Sequence, residues 1–154
     1  MNRIPTNREE AAEVLLEFLV AVGYDGLVAG ITSELERGPR GRAPDPVALH
    51  RWYVGLDDHD RAMVLEIVRQ AARFSVFNCL TFLDGRTGGR YREGKVLEFA
   101  LYLDVYREEG YGGDAVPERS IRVNPIHEAV EDLHDLFNGV MQQRAAGSAD
   151  SGSG

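Results

Sequence analysis

The sequence predicts an α+β fold: a mostly helical single domain of about five helices, with a small antiparallel β-ribbon between the fourth and last helices. Two observations support this class. Apolar residues recur at helical spacing through most of the chain, and one segment near residue 100 alternates with a period of two. The chain has 154 residues, of which 44% are hydrophobic, and this is enough for one domain with its own core. We expect that domain to span residues 1–144.

The first part of the chain is expected to form a helical hairpin. Thr6 and Glu9 have the spacing of a capping box, so a first helix should begin there and end at Gly23. A second helix is expected over residues 25–36. Because the connection is short, the two helices should pack antiparallel.

Two more helices should follow a loop that is rich in glycine, proline and arginine. Asp45 and Pro46 suit the cap and the first position of the third helix, and the acidic residues near Asp57 suit the start of the fourth. Residues 74–83 fit a strand by composition, but nothing breaks the fourth helix before Asp84, so a helix is favoured. It should be buried on all sides, with Cys79 as a buried structural thiol.

The ribbon and the last helix complete the prediction. Residues 96–106 alternate between apolar and polar side chains, and a short second strand is expected at residues 120–123 after a glycine-rich hairpin loop. The last helix should begin with Asn124 and Pro125 as its cap and first residue. Residues 145–154 are rich in Ser, Gly and Ala, so we expect a disordered tail.

Charge and cysteine content exclude several classes of protein. Seventeen basic against twenty-five acidic residues give a net charge of −8, which argues against general nucleic-acid binding. The single cysteine excludes an internal disulfide framework and favours the cytoplasm. No signal sequence is recognised, and the apolar stretch at residues 18–31 is shorter than the roughly 20 residues of a membrane span. Sixteen of the basic residues are arginine, which is typical of a GC-rich bacterial genome.

The last helix carries the candidate ligand-binding residues. At about 100° per residue, four polar side chains form one strip beside its apolar face: His127, Glu131, His134 and Asn138. Glu131 and His134 have the spacing by which helical bundles present a carboxylate and an imidazole to one metal. The sequence holds no second such pair, and polar residues at the boundary of an amphipathic helix explain the same pattern. We therefore assign no catalytic residue, metal or cofactor from the sequence.

An arginine-rich loop over residues 85–94 is the second candidate site. Arg86, Arg90 and Arg92 lie among glycines and would clamp an anion if their side chains converge. The loop lacks the ending of a P-loop and precedes a strand rather than a helix, so a solvated connecting loop is the favoured interpretation.

The leading functional hypothesis is an acidic cytoplasmic protein that acts by binding another protein, in a regulatory or immunity-like role. No catalytic motif is recognised, and opposite charge would speed its encounter with a basic partner. The alternative is a small ligand- or metal-binding domain, hydrolytic in one version, in which the strip of His127, Glu131 and His134 lines a pocket. A third hypothesis is phosphate or nucleotide binding by the converging arginines. A homodimer through the ribbon edge is compatible with each of them.

Overall fold

A computed structural model describes residues 4–41, 43–84, 100–108, 115–124 and 132–150. Residues 108, 115 and 148–150 are described by their backbone alone. Helices dominate, and a two-stranded antiparallel sheet follows the long fourth helix, which confirms the predicted α+β class. The elements are α1 (Arg8–Phe18), a π-helical segment (Leu19–Gly26), α2 (Leu27–Arg37), α3 (Pro44–Val54), α4 (Asp58–Leu83), β1 (Tyr102–Glu108), β2 (Ala115–Arg122) and α5 (Leu133–Asp150). The chain forms two compact units: Met1–Glu17 with Phe77–Gly154, and Phe18–Val76.

The predicted N-terminal hairpin is wrong, because residues Arg8–Arg37 form one helix of 30 residues. Gly26 has φ −63° and ψ −41°, which are right-handed helical values, so the chain does not turn there. The helix instead widens into π-helical turns over Leu19–Gly26. Gly23 lies in these turns, where a Cβ would be 3.4 Å from the Cγ2 atom of Val76. This glycine therefore lies inside the helix, facing Val76 of α4, rather than ending the helix.

The capping interaction at the start of α1 is shifted by one residue from the predicted pair. The Oδ1 atom of Asn7 accepts a hydrogen bond from the backbone N–H of Glu10 at 2.9 Å. The carboxylate of Glu10 in turn accepts bonds from the backbone N–H and the hydroxyl of Thr6, at 2.7 and 2.8 Å. Asn7 is therefore the cap residue in place of Thr6, and Glu10 in place of Glu9 reaches back to the residue before the cap.

Length and composition would allow the helix Arg8–Arg37 to cross a membrane, whereas the sequence analysis excluded a span because it counted only the apolar stretch at residues 18–31. Glu17 and Asp25 lie inside this helix. An Asp side chain near the bilayer centre costs about 2.5–3.5 kcal/mol. This cost disfavours a membrane span for the helix. The function proposed below therefore includes a location away from membranes.

In the unit Phe18–Val76, α2 packs against α3. The imidazole of His50 donates its Nδ1 proton to the carbonyl oxygen of Leu35 at 2.8 Å, which ties the two helices together. The α3 helix begins at Pro44, so Asp45 lies in its first turn and is not its cap. Gly38 follows α2 with φ +84°, a value that glycine adopts readily and other residues rarely do.

Replacing Gly38 by alanine should lower the free energy of unfolding by about 1–3 kcal/mol, because a Cβ forces the backbone into a strained conformation. That Cβ would also lie 3.3 Å from the ring of His50. Gly30→Ala is the matched control, since its Cβ would meet nothing within 4 Å inside α2, and it should stabilise by about 0.5–1 kcal/mol. Urea denaturation measures both changes, and equal effects of the two substitutions would contradict the prediction.

The α4 helix extends to Leu83, so the predicted helix over residues 74–83 is confirmed. Its predicted burial on all sides is wrong. Ala72, Val76 and Leu80 are buried at a spacing of four residues, which defines one packed face. Phe74 is 61% exposed, and Cys79 is an exposed free thiol rather than a buried one.

The core of the other unit is formed by α4, α5 and the residues after β2. The largest fully buried side chains are Phe137, Leu80, Leu133 and Val123. The ribbon pairs β1 with β2 in antiparallel register, and a bulge at Val105/Tyr106 sets Pro117 opposite Tyr106. Proline is tolerated there because a bulge interrupts the hydrogen-bonded ladder. β1 covers residues 102–108, where residues 96–106 were predicted, and β2 covers residues 115–122, where residues 120–123 were predicted. Residues 96–99 lie outside the described part of the chain.

Asn124 was expected to cap the last helix, and because residues 125–131 lie outside the described part of the chain, that cap stays a prediction. The Asn124 side chain also connects two other segments. Its Nδ2 group donates to the carbonyl oxygen of Leu83 at 2.8 Å, and its Oδ1 atom accepts from the backbone N–H of Leu101 at 2.8 Å. The described part of the last helix begins at Leu133 and continues to Asp150. Residues 142–147 are helical and exposed on both sides of position 144. They do not distinguish the domain from its tail, so the predicted boundary at residue 144 stays a prediction.

Candidate functional site

The structure describes two of the four residues of the predicted strip. His134 and Asn138 lie on α5 and are both half-buried. His127 and Glu131 lie outside the described residues, so their expected place beside His134 stays a prediction. Arg86, Arg90 and Arg92 also lie outside the described residues, and their convergence on an anion is untested.

His134 is held by Asp84, a residue that the sequence analysis treated only as the end of α4. The Oδ2 atom of Asp84 lies 2.9 Å from Nδ1 of His134 and accepts the backbone N–H of the same residue at 3.0 Å. The Asp84 side chain is 0% exposed. In the neutral imidazole this bond places the proton on Nδ1 and leaves the lone pair on Nε2. Asp84 therefore fixes both the orientation and the tautomer of His134.

Phe77 supports the imidazole from α4. Its ring lies 5.3 Å from that of His134, at an interplanar angle of 88°, which is a favourable edge-to-face arrangement. The sequence offered no signal for this contact, because it joins residues that are far apart along the chain. The Phe77 ring and the Asp84 carboxylate together fix the imidazole between α4 and the first turn of α5.

Two further carboxylates lie beside His134. One ligand atom each from Asp132, His134 and Asp135 can be chosen so that the three lie within 4.8 Å of one another. The Nε2 atom of His134 is 3.6 Å from Oδ1 of Asp135, whose side chain is 58% exposed. Asp132 is buried, and its carbonyl accepts the N–H of Leu136, so it occupies the cap position of α5. Carboxylates are favourable at this end of a helix because the helix dipole is positive there.

A second candidate site lies in the unit Phe18–Val76, where α2 and α3 enclose an open groove of about 250 Å³. Four apolar residues and three polar ones line it: Ile31, Leu35, Pro46, Leu49, Glu34, Asp45 and His50. Both acidic residues are exposed, and among the described lining residues no Lys or Arg occurs. The groove is therefore apolar inside and bordered by negative charge.

Large apolar side chains next to the groove are exposed. Leu49 is 50% exposed, and Trp52, one helical turn further along α3, is 52% exposed. Tryptophan is enriched among the residues that dominate protein–protein binding energy. The sequence analysis made no prediction for this surface.

Comparisons of the chain with protein-family models, with curated proteins and with solved structures found no match.

Proposed function

We propose that this protein acts by binding another protein, and that the groove between α2 and α3 receives an apolar side chain from a basic segment of its partner. The observation that supports this function is the combination of an apolar groove with two bordering carboxylates, Glu34 and Asp45. An apolar side chain flanked by Lys or Arg has the complementary chemistry.

The two parts of the groove contribute differently to binding. Burying one large apolar side chain stabilises a complex by about 1.5–3 kcal/mol. Glu34 and Asp45 are exposed, so an ion pair with either adds about 0–1 kcal/mol and acts mainly on the association rate. We therefore expect the apolar residue to set affinity and the charges to select basic over acidic partners.

The groove is fixed before a partner arrives. His50 is bonded to the carbonyl of Leu35, and buried Leu35 and Tyr53 hold the adjoining parts of α2 and α3. A site that is already ordered loses less conformational entropy on binding. Recognition of a short segment is therefore feasible in spite of the small buried area.

The proposal includes a cytoplasmic location, in keeping with the exposed free thiol of Cys79. General nucleic-acid binding is not expected at a net charge of −8.

Trp52 is the single tryptophan of the chain and provides the measurement. A basic amphipathic peptide, with leucine at every fourth position and arginine between, should shift Trp52 fluorescence with saturation in the micromolar range. An acidic peptide with the same leucine pattern should not. Leu49→Arg should weaken binding of the basic peptide by about tenfold or more, since it removes the apolar wall and adds a positive charge.

Met63→Arg is the matched control, because Met63 is 52% exposed on α4 and does not line the groove. It should leave binding unchanged. Equal binding of the basic and acidic peptides, or equal losses in the two arginine variants, would refute the proposal.

A further inference from the structure

We infer that Asp132, His134 and Asp135 form a binding site for a divalent first-row metal ion, with Zn²⁺ as the best fit to the ligand set. This inference concerns the unit that contains α5 and does not depend on the proposed groove. It differs from the metal hypothesis of the sequence analysis, which joined His134 to Glu131.

The first argument is the orientation of the imidazole. Histidines that bind metals typically donate their other ring N–H to a carboxylate, which fixes the ring and makes it a better ligand. Asp84 does this to His134 from a position with no solvent exposure. Nε2 is left as the available ligand atom, on the side of Asp135.

The second argument is the spacing of the ligand atoms. Two ligands at about 2.0–2.2 Å from one Zn²⁺ are separated by about 3.0–3.5 Å. Nε2 of His134 and Oδ1 of Asp135 are 3.6 Å apart, which is long for a hydrogen bond and close to the separation across an ion. One carboxylate oxygen of Asp132 lies within 4.8 Å of a ligand atom of each of the other two residues.

A buried oxygen atom without a partner supports the same site. The Oδ1 atom of Asp84 is buried and has no hydrogen-bond partner among the residues that the structure describes. A buried carboxyl oxygen without a partner is costly, and positive charge in its surroundings reduces that cost. A cation bound to Nε2 would lie across the ring from Asp84 and would act on it through the hydrogen-bonded imidazole, in addition to the dipole of α5.

The chemistry of the ligands selects the ion. One imidazole and two carboxylates suit Zn²⁺ better than Ca²⁺ or Mg²⁺, which prefer oxygen alone. Three protein ligands would leave a fourth position for water, as in zinc sites with a catalytic role.

Titration of the 154-residue chain with Zn²⁺ in a calorimeter tests the site, with Cys79→Ser as the background so that the exposed thiol does not contribute. One ion per chain should bind. Asp135→Asn should weaken its affinity by more than about tenfold, with little effect on folding because the side chain is largely exposed. Asp58→Asn, which changes an exposed carboxylate in the first turn of α4, is the matched control and should bind as the parent does.

Two results would overturn the inference. One is no saturable binding at Zn²⁺ concentrations up to about 1 mM, since a Kd above that corresponds to less than about 4 kcal/mol. The other is equal affinity of the Asp135→Asn and Asp58→Asn variants, which would place the ion on other residues.

Discussion

Replacing Asn124 by leucine should lower the free energy of unfolding by about 3 kcal/mol. Asn124 is 2% exposed, and its amide is bonded to two backbone groups, the carbonyl of Leu83 and the N–H of Leu101. Leucine is similar in volume but can bond to neither. Each buried polar group that loses its partner costs about 1–3 kcal/mol, and here two groups lose it.

The effect should extend beyond global stability. The Leu101 N–H precedes β1, so hydrogen exchange at this amide should accelerate in the variant more than exchange within α3. Asn78→Leu is the matched control, because Asn78 is exposed on α4 and its replacement should change stability by less than about 0.5 kcal/mol. Urea denaturation measures the free energy of unfolding of both variants. A loss below about 1 kcal/mol for Asn124→Leu would contradict the stabilising role of its two hydrogen bonds.

The features that sequence reasoning predicted correctly are those fixed by local periodicity. The alternation around Leu103 indicated a strand, and β1 lies there. The absence of a breaker before Asp84 indicated that α4 continues, and it does. In both cases the pattern depends on neighbours within a few residues, which the sequence displays directly.

Glycine at position 23 shows where local reasoning fails. A glycine that ends a helix and a glycine inside a longer helix give the same local sequence signal. At Gly23 the backbone continues through π-helical turns into α2, which the sequence does not display. The choice of the cap interpretation produced the incorrect hairpin.

The candidate sites show the same contrast between residues that local periodicity identifies and residues that only distant contacts bring together. His134 was identified because its position on an amphipathic helix is a periodic property. Its partner Asp84 is 50 residues away and carries no periodic signal, so it was recognised only as a helix terminator. The groove between α2 and α3 was missed for a related reason, since its walls come from two helices whose packing the sequence does not specify.

Replacing Asp84 by alanine should be the most destabilising change considered, at about 3–5 kcal/mol. The side chain has no solvent exposure and accepts both the backbone N–H and the Nδ1 proton of His134. Removing one member of a buried polar pair leaves the other unsatisfied, and here the first turn of α5 also loses an anion that complements its dipole. Asp84→Asn retains one acceptor oxygen and should cost less than Asp84→Ala.

A double-mutant cycle separates the two contacts of Asp84. In a His134→Ala background the imidazole is gone but the backbone N–H at position 134 remains, so Asp84→Ala should still cost about 1–3 kcal/mol. The difference between the two backgrounds measures the Asp84–imidazole interaction, which we expect to exceed about 1 kcal/mol because both groups are shielded from solvent. If Asp84→Ala costs the same in both backgrounds, the carboxylate acts only as a helix cap. It would then not orient His134, and the metal site would lose its supporting residue.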